Sequence, residues 1–225
     1  MKIKNALFIT VRTGSTRLPQ KALLKINDKS TIEHLIDRLK LSRSKDGIIL
    51  CTTDLDSDLV LCKIAHRTGI EYFRGSVEDK LARWLGAAEQ FGVEYFVTAD
   101  GDDLFCEPEL IDLAFEQYQR TKADFIEGVG VICGSFTYGI SVSALRKVCE
   151  IKDTEDTEMM WTYFKDTGLF KVEQLQNVPA LFLRPDIRMT LDYHEDLAFF
   201  TKIIQELGCK GKTFTLRDIV AYHVR

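Results

Sequence analysis

The chain has 225 residues, 45% hydrophobic and 28% charged, with a formal net charge of −4. That length and balance fit one compact domain with a substantial core and exclude a disordered or fibrous protein. The negative balance argues against broad binding to nucleic-acid phosphates, and no apolar run reaches the roughly 20 residues that span a bilayer.

Short apolar runs alternate with helical patterns through the first half, which is the signal for a mainly parallel sheet with helices on both faces. Ala6–Val11, Gly47–Thr52, Ile70–Phe73 and Tyr95–Thr98 are rich in β-branched or aromatic residues and read as strands. Between them, Thr31–Leu41 places Ile32, Leu35, Ile36 and Leu39 on one stripe, and Asp56–Thr68 and Val77–Phe91 are also amphipathic. Pro108 opens a fourth helix at a position where its missing N–H costs nothing. After about residue 120 the pattern loosens, with strands expected near Asp124–Val131 and Tyr138–Ser141 and helices from Ser143 and Thr154. A strand at Arg188–Leu191, a helix at His194–Leu207 and a last helix near Leu216–His223 close the chain. The expected organisation is one domain over 1–225, with a nucleotide-binding half to about 120, a small α+β acceptor or dimerisation lobe over about 121–187, and a closing segment over 188–225.

Ala6–Val11 is too short for a signal-peptide core and lacks a cleavage site, so a cytoplasmic location is expected. Cys51, Cys62, Cys106, Cys133, Cys149 and Cys209 form no CxxC pair and have no histidine at ligand spacing, so they read as reduced residues rather than a zinc site.

Directly after the first strand stands Arg12-Thr-Gly-Ser-Thr-Arg-Leu-Pro-Gln-Lys21. Gly14 lets the backbone approach a ligand, Ser15 and Thr16 add hydroxyl donors, and Arg12, Arg17 and Lys21 can neutralise phosphates. The loop is neither GxxxxGK[ST] nor GxGxxG, which excludes the Walker and dinucleotide modes. After the fourth strand, Asp100-Gly-Asp-Asp103 offers clustered carboxylates that suit a hard cation such as magnesium or, equally, cap the next helix. Asp192 ends the expected late strand, and Glu195 and Asp196 fit a first helical turn.

The spacing Arg-x-Gly-Ser-Thr-Arg-Leu-Pro-x-Lys after a first strand resembles the opening signature of the sugar-acid cytidylyltransferases, which make CMP-sialic acid and CMP-KDO. Gly101-Asp102 with Pro108-Glu-Leu-Ile-Asp112 looks like the family's metal motif, and Thr190-Leu-Asp192 with Glu195-Asp-Leu197 like its closing motif. Cys51-Thr-Thr-Asp54, and Phe73-Arg-Gly-Ser76 with Asp79 and Arg83, are similar to its spore-coat polysaccharide branch. The resemblance implies the nucleotide-diphospho-sugar transferase type of Rossmann-like fold. It implies CTP as nucleotide, bound by Arg12, Gly14, Ser15, Arg17, Lys21, Thr52, Ser76, Arg83 and Asp100. Mg²⁺ would sit on Asp102 and Asp192, with Arg12, Lys21 and Asp102 as the catalytic set and a homodimer as the assembly. Read alone, Asp54 serves equally as a helix cap, and Arg83 as a solvated charge.

Four departures concern the loop shapes and the acceptor. Gln20 replaces the family's usual Gly, Leu104 its usual Pro, Phe136 and Tyr138 stand where acidic residues are usual, and Met159 replaces a histidine after Glu158. Tyr138 and Glu158 are the candidate acceptor-binding residues. The expected reaction is transfer of CMP from CTP to a sugar acid, with release of pyrophosphate, for surface polysaccharide biosynthesis. The alternatives are a phosphorylated polyol or other non-sialic acceptor, and a nucleotide-binding protein that has lost turnover.

Overall fold

Alternate residues of the first strand supply two separate cores. In the computed structural model, which describes residues 3–157, 159–208 and 215–223, β1 (Asn5–Thr10) sends Leu7 and Ile9 to one face of the sheet and Ala6 and Phe8 to the other. This two-sided burial is what a central strand with an unbroken apolar run requires.

The chain then makes a short hairpin, β2 (Lys25–Ile26) and β3 (Lys29–Ser30), before α1 (Thr31–Leu39). β4 (Gly47–Thr53), α2 (Leu59–Thr68), β5 (Glu71–Gly75), α3 (Lys80–Phe91), β6 (Tyr95–Asp100) and α4 (Pro108–Thr121) complete the expected βα steps. β7 (Phe125–Glu127), β8 (Tyr138–Ser141), α5 (Val142–Ile151), α6 (Trp161–Lys165) and β9 (Val172–Gln174) follow, and α7 (His194–Gly208) and α8 (Leu216–His223) end the fold.

One seven-stranded sheet runs in the order β5-β4-β1-β6-β8-β7-β9, with β8 antiparallel to β6 and β7 and the other pairings parallel. The segment expected as a small lobe therefore widens the main sheet. α1, α2, α4, α7 and α8 pack with Leu7, Leu50 and Val97 on one face; α3, α5 and α6 pack with Phe8, Ile49 and Phe96 on the other. The Rossmann-like fold class holds.

Two expected elements differ. Arg188–Leu191 is not a strand: Arg188 makes a single bridge to Cys133, and the rest of the segment spends its backbone bonds on loops. The helix expected from Thr154 begins at Trp161, and Glu158 lies outside the described residues.

The chain leaves β1 towards β4 and β5 and returns through α3 to β6 on the other side of β1. In such sheets the crevice at this reversal, outside the carboxyl ends of the strands, is where ligands bind. The loops after β1 and β6 both open there.

Candidate active site

Two cavities meet at the carboxyl edge of the sheet. One, of 280 Å³, is lined by Arg12, Gly14, Ser15, Arg17 and Lys21 from the first loop, by Lys80 and Arg83 from α3, and by Asp100 and Asp102. The second, of 590 Å³, shares Arg17, Asp100 and Asp102 and continues past Asp103, Glu127, Phe136, Tyr138, Arg188 and Asp192. The sheet order explains the continuity, because the loops after β1 and β6 lie next to the start of β8 and the end of β7.

The first loop is anchored by its buried residues and turns its cations outwards. Leu18 is buried in the core, and Thr13 is held from beneath by Asp58, which accepts from the Thr13 N–H at 2.8 Å and from its hydroxyl at 2.6 Å. The Thr53 hydroxyl donates to the other oxygen of Asp58. Burial pushes the Asp58 carboxyl up, but these hydrogen bonds outweigh it and hold it below its ordinary value. Gln20 takes a left-handed conformation, φ 52° and ψ 30°, that turns the chain into the helical turn beginning at Lys21. A glycine adopts that geometry without a Cβ penalty, which accounts physically for the family's usual residue there.

Lys21 reaches the centre of the site. Its ammonium donates to Asp102 Oδ2 at 2.5 Å and to Asp192 Oδ1 at 3.2 Å, so carboxylates 90 positions apart in sequence converge on one nitrogen. The convergence is built by backbone: the Leu191 N–H donates to the Asp102 carbonyl at 2.9 Å, and Met189 and Cys133 pair just before it. Arg17 lies 2.8 Å from Asp192, whose second oxygen receives Arg188 and the Thr190 hydroxyl, each at 3.3 Å. Asp196 accepts from the N–H groups of Asp192 and Tyr193, both at 2.9 Å, and also pairs with Arg188. It fixes the turn that presents Asp192.

Burial and the neighbouring Asp100 push the Asp102 carboxyl up, against the pull of Lys21. Asp103 is buried among the same acids, and its Oδ1 has no hydrogen-bond partner. Burial first, then Asp102 and Asp100, hold its carboxyl well above the usual range. Oxygens of Asp102 and Asp192 that already share one cation suit a hard divalent ion completing its shell with substrate oxygens. Among the described residues no group of three or more His, Cys, Asp or Glu side chains is placed to hold a metal unaided.

The structure brings Arg12, Gly14, Ser15, Arg17, Lys21, Arg83, Asp100, Asp102, Asp192 and Tyr138 to the joined cavities. Ser76 and Thr52 line neither of them. Thr52 is fully buried inside β4, while Ser76 Oγ accepts from the Asp79 N–H at 3.0 Å and its carbonyl accepts from Arg83 at 2.6 Å. Tyr138 packs on Phe125 and Trp161, and burial, with Asp100 and Glu127 nearby, pushes its phenol up to about 12. Lys80 and Asp58 were not expected. Each reads in sequence as an ordinary helix-end charge, and only the fold puts one in the cleft and the other under the loop.

A family model described as cytidylyltransferase matches residues 6–205. An uncharacterized protein of Methanocaldococcus jannaschii is 32% identical over 197 residues, covering 87% of this chain and 81% of that one. The spore coat polysaccharide biosynthesis protein SpsF of Bacillus subtilis is 27% identical, with 89% and 86% covered. The 3-deoxy-manno-octulosonate cytidylyltransferase of Geobacter sulfurreducens is 30% identical over a shorter stretch, 51% of this chain and 45% of that one. Among solved structures, a cytidylyltransferase from Leptospira borgpetersenii superposes with a TM-score of 0.81 at 25% identity, covering 91% and 87%.

Proposed function

We propose, from the premise that the chain belongs to the cytidylyltransferase family, that it transfers CMP from CTP to a sugar acid and releases pyrophosphate, as a step in building a surface polysaccharide. The observation that carries this reading is the pair of cavities that meet at Arg17, Asp100 and Asp102. One is lined by the cations of the phosphate loop; the other has room for an acceptor.

In this reading Arg12 and Lys21 hold the β- and γ-phosphates and stabilise the leaving pyrophosphate. An acceptor oxygen attacks the α-phosphorus from the second cavity as the bond to the β-phosphate breaks. Arg17 and Arg188 supply the positive charge that orients an acceptor carboxylate. Asp102 and Asp192 would hold Mg²⁺, which supplies charge neutralisation at the phosphoryl oxygens. Catalysis of this kind is positioning and preorganised electrostatics, and it needs no covalent nucleophile.

A phosphorylated polyol is the second reading, since Arg17 and Arg188 suit a phosphate as well as a carboxylate and Tyr138 replaces an acidic residue. The departures Gln20 and Leu104 speak against lost turnover: the first is absorbed in the turn before Lys21, and the second is buried in the core, with the Lys21–Asp102 contact intact.

The test is pyrophosphate release from CTP and Mg²⁺ with a panel of sugar acids and phosphorylated polyols. Release with a sugar acid, abolished in Asp102→Ala, is the expected result. No release with any acceptor, while CTP still binds, would replace this reading with that of a nucleotide-binding protein.

A further inference from the structure

A second lysine lines the nucleotide cavity from another element. Lys80 opens α3; its side chain is 15% exposed, and its ammonium lies 3.2 Å from Asp100 Oδ1 and 5.1 Å from the centre of the Trp84 ring. Trp84 is itself fixed, because its Nε1 donates to Thr10 Oγ1 at 2.8 Å. The ring that seats Lys80 is thus tied to the last residue of β1, where the phosphate loop begins. An ammonium has three donors. The carboxylate takes one and the ring face attracts the cation, which leaves donor capacity for a ligand in the cavity that Lys80 lines.

Position decides which phosphate that is. Asp100 belongs to both cavities, and the reacting phosphorus has to lie where nucleotide and acceptor meet. Lys80 reaches that boundary from α3 through Asp100, as Lys21 reaches it from the loop after β1 through Asp102.

We propose that Lys80 is a further catalytic residue, whose ammonium contacts a non-bridging oxygen of the α-phosphate. The assignment rests on reading this cleft as a cytidylyltransferase site. In the transfer step the acceptor oxygen forms a bond to the α-phosphorus, and the bond to the β-phosphate oxygen breaks, with its electron pair leaving on pyrophosphate. Negative charge spreads over the non-bridging α-oxygens, and Lys80 stabilises it by charge alone, giving up no proton.

Calorimetry in the presence of Mg²⁺ separates the phosphates, because CMP carries only the α-phosphate and pyrophosphate stands for the other two. Lys80→Gln is expected to weaken CMP binding about tenfold and leave pyrophosphate binding unchanged, while Lys21→Gln does the reverse. Where the wild type releases pyrophosphate from CTP, kcat in Lys80→Gln falls about 100-fold, the scale of losing one preorganised charge partner, and Lys80→Arg restores part of it. A purely structural role for Lys80 would weaken both ligands together. Equal CMP affinity in wild type and Lys80→Gln overturns the assignment and leaves the family reading standing. A wild type that binds neither CMP nor CTP overturns both.

Discussion

Asp58 holds Thr13 by two hydrogen bonds to one carboxylate oxygen, 2.8 Å from the backbone N–H and 2.6 Å from the hydroxyl. A fully buried residue just before α2 thereby fixes the start of the phosphate loop. Removing the carboxylate strands the Thr13 N–H, at a cost of about 1–3 kcal/mol for an unsatisfied buried donor. Asp58→Ala is therefore expected to lower stability by that amount in urea unfolding and to weaken CTP binding about tenfold. Asp58→Asn keeps an acceptor for Thr13 and loses less on both counts. CTP affinity in Asp58→Ala equal to that of the wild type would show that the loop does not depend on this anchor.

The ammonium of Lys21 stands between Asp102 and Asp192, where a divalent cation would bind. On the proposed reading, lysine and metal would compete for the same oxygens, and bound phosphate would draw Lys21 away. Two opposed effects should follow from Lys21→Met. Nucleotide affinity falls by about one to two orders of magnitude, as expected for losing a charge-assisted phosphate contact. Binding of Mn²⁺ without nucleotide, followed by electron paramagnetic resonance, becomes tighter. Weaker Mn²⁺ binding in the variant would mean that Lys21 supports the cation site instead of occupying it.

The same residues show what a sequence can reveal. Strand β1 and its loop were legible because an unbroken apolar run followed by Arg12–Lys21 is a local pattern. Asp102 and Asp192 could be paired only through the order of the motifs, since their meeting depends on the Leu191 to Asp102 backbone bond. Thr52 resembles a strand-end ligand, but it is fully buried, as are Cys51 and Thr53 on either side of it, because β4 is covered on both faces. Val172–Gln174 went unread because an edge strand with Glu173 and Gln174 carries little apolar signal. Arg188–Leu191 has a strand's composition, but its backbone bonds to the loops at Cys133 and Asp102 and makes a single bridge, so it is a bridged loop.

Gln20 offers a test of loop strain. Its left-handed conformation costs a non-glycine residue about 1–2 kcal/mol, while glycine in its place pays roughly 0.4–1 kcal/mol through the unfolded chain. Gln20→Gly is thus expected to be neutral or stabilising by up to about 1.6 kcal/mol, the difference between those two terms. Gln20→Val, β-branched at positive φ, is expected to destabilise. Thermal unfolding of the three proteins decides it: if valine matched glutamine in midpoint, the loop would have to rearrange on substitution.

Glu33 gives the fold a predictable acid response. At the start of α1 it accepts from the Ser30 N–H at 2.9 Å, from the Ser30 hydroxyl at 2.6 Å and, on its other oxygen, from Arg67 at 2.8 Å. Burial pushes its carboxyl up, but the bonds from Ser30 and Arg67 together outweigh that and bring it down to about 2 from an ordinary value of 4.5. A carboxyl with a depressed folded value contributes stability that is fully present above its unfolded value and is lost as pH falls through the folded one. The contribution of Glu33 is therefore complete above pH 4.5 and drains away as pH falls towards 2. Other acids titrate in the same range, so the informative quantity is the difference in unfolding free energy between wild type and Glu33→Gln. That gap should be largest above pH 4.5 and should close as pH approaches 2. A gap that stayed constant across this window would mean that folding does not hold the Glu33 carboxyl below its ordinary value.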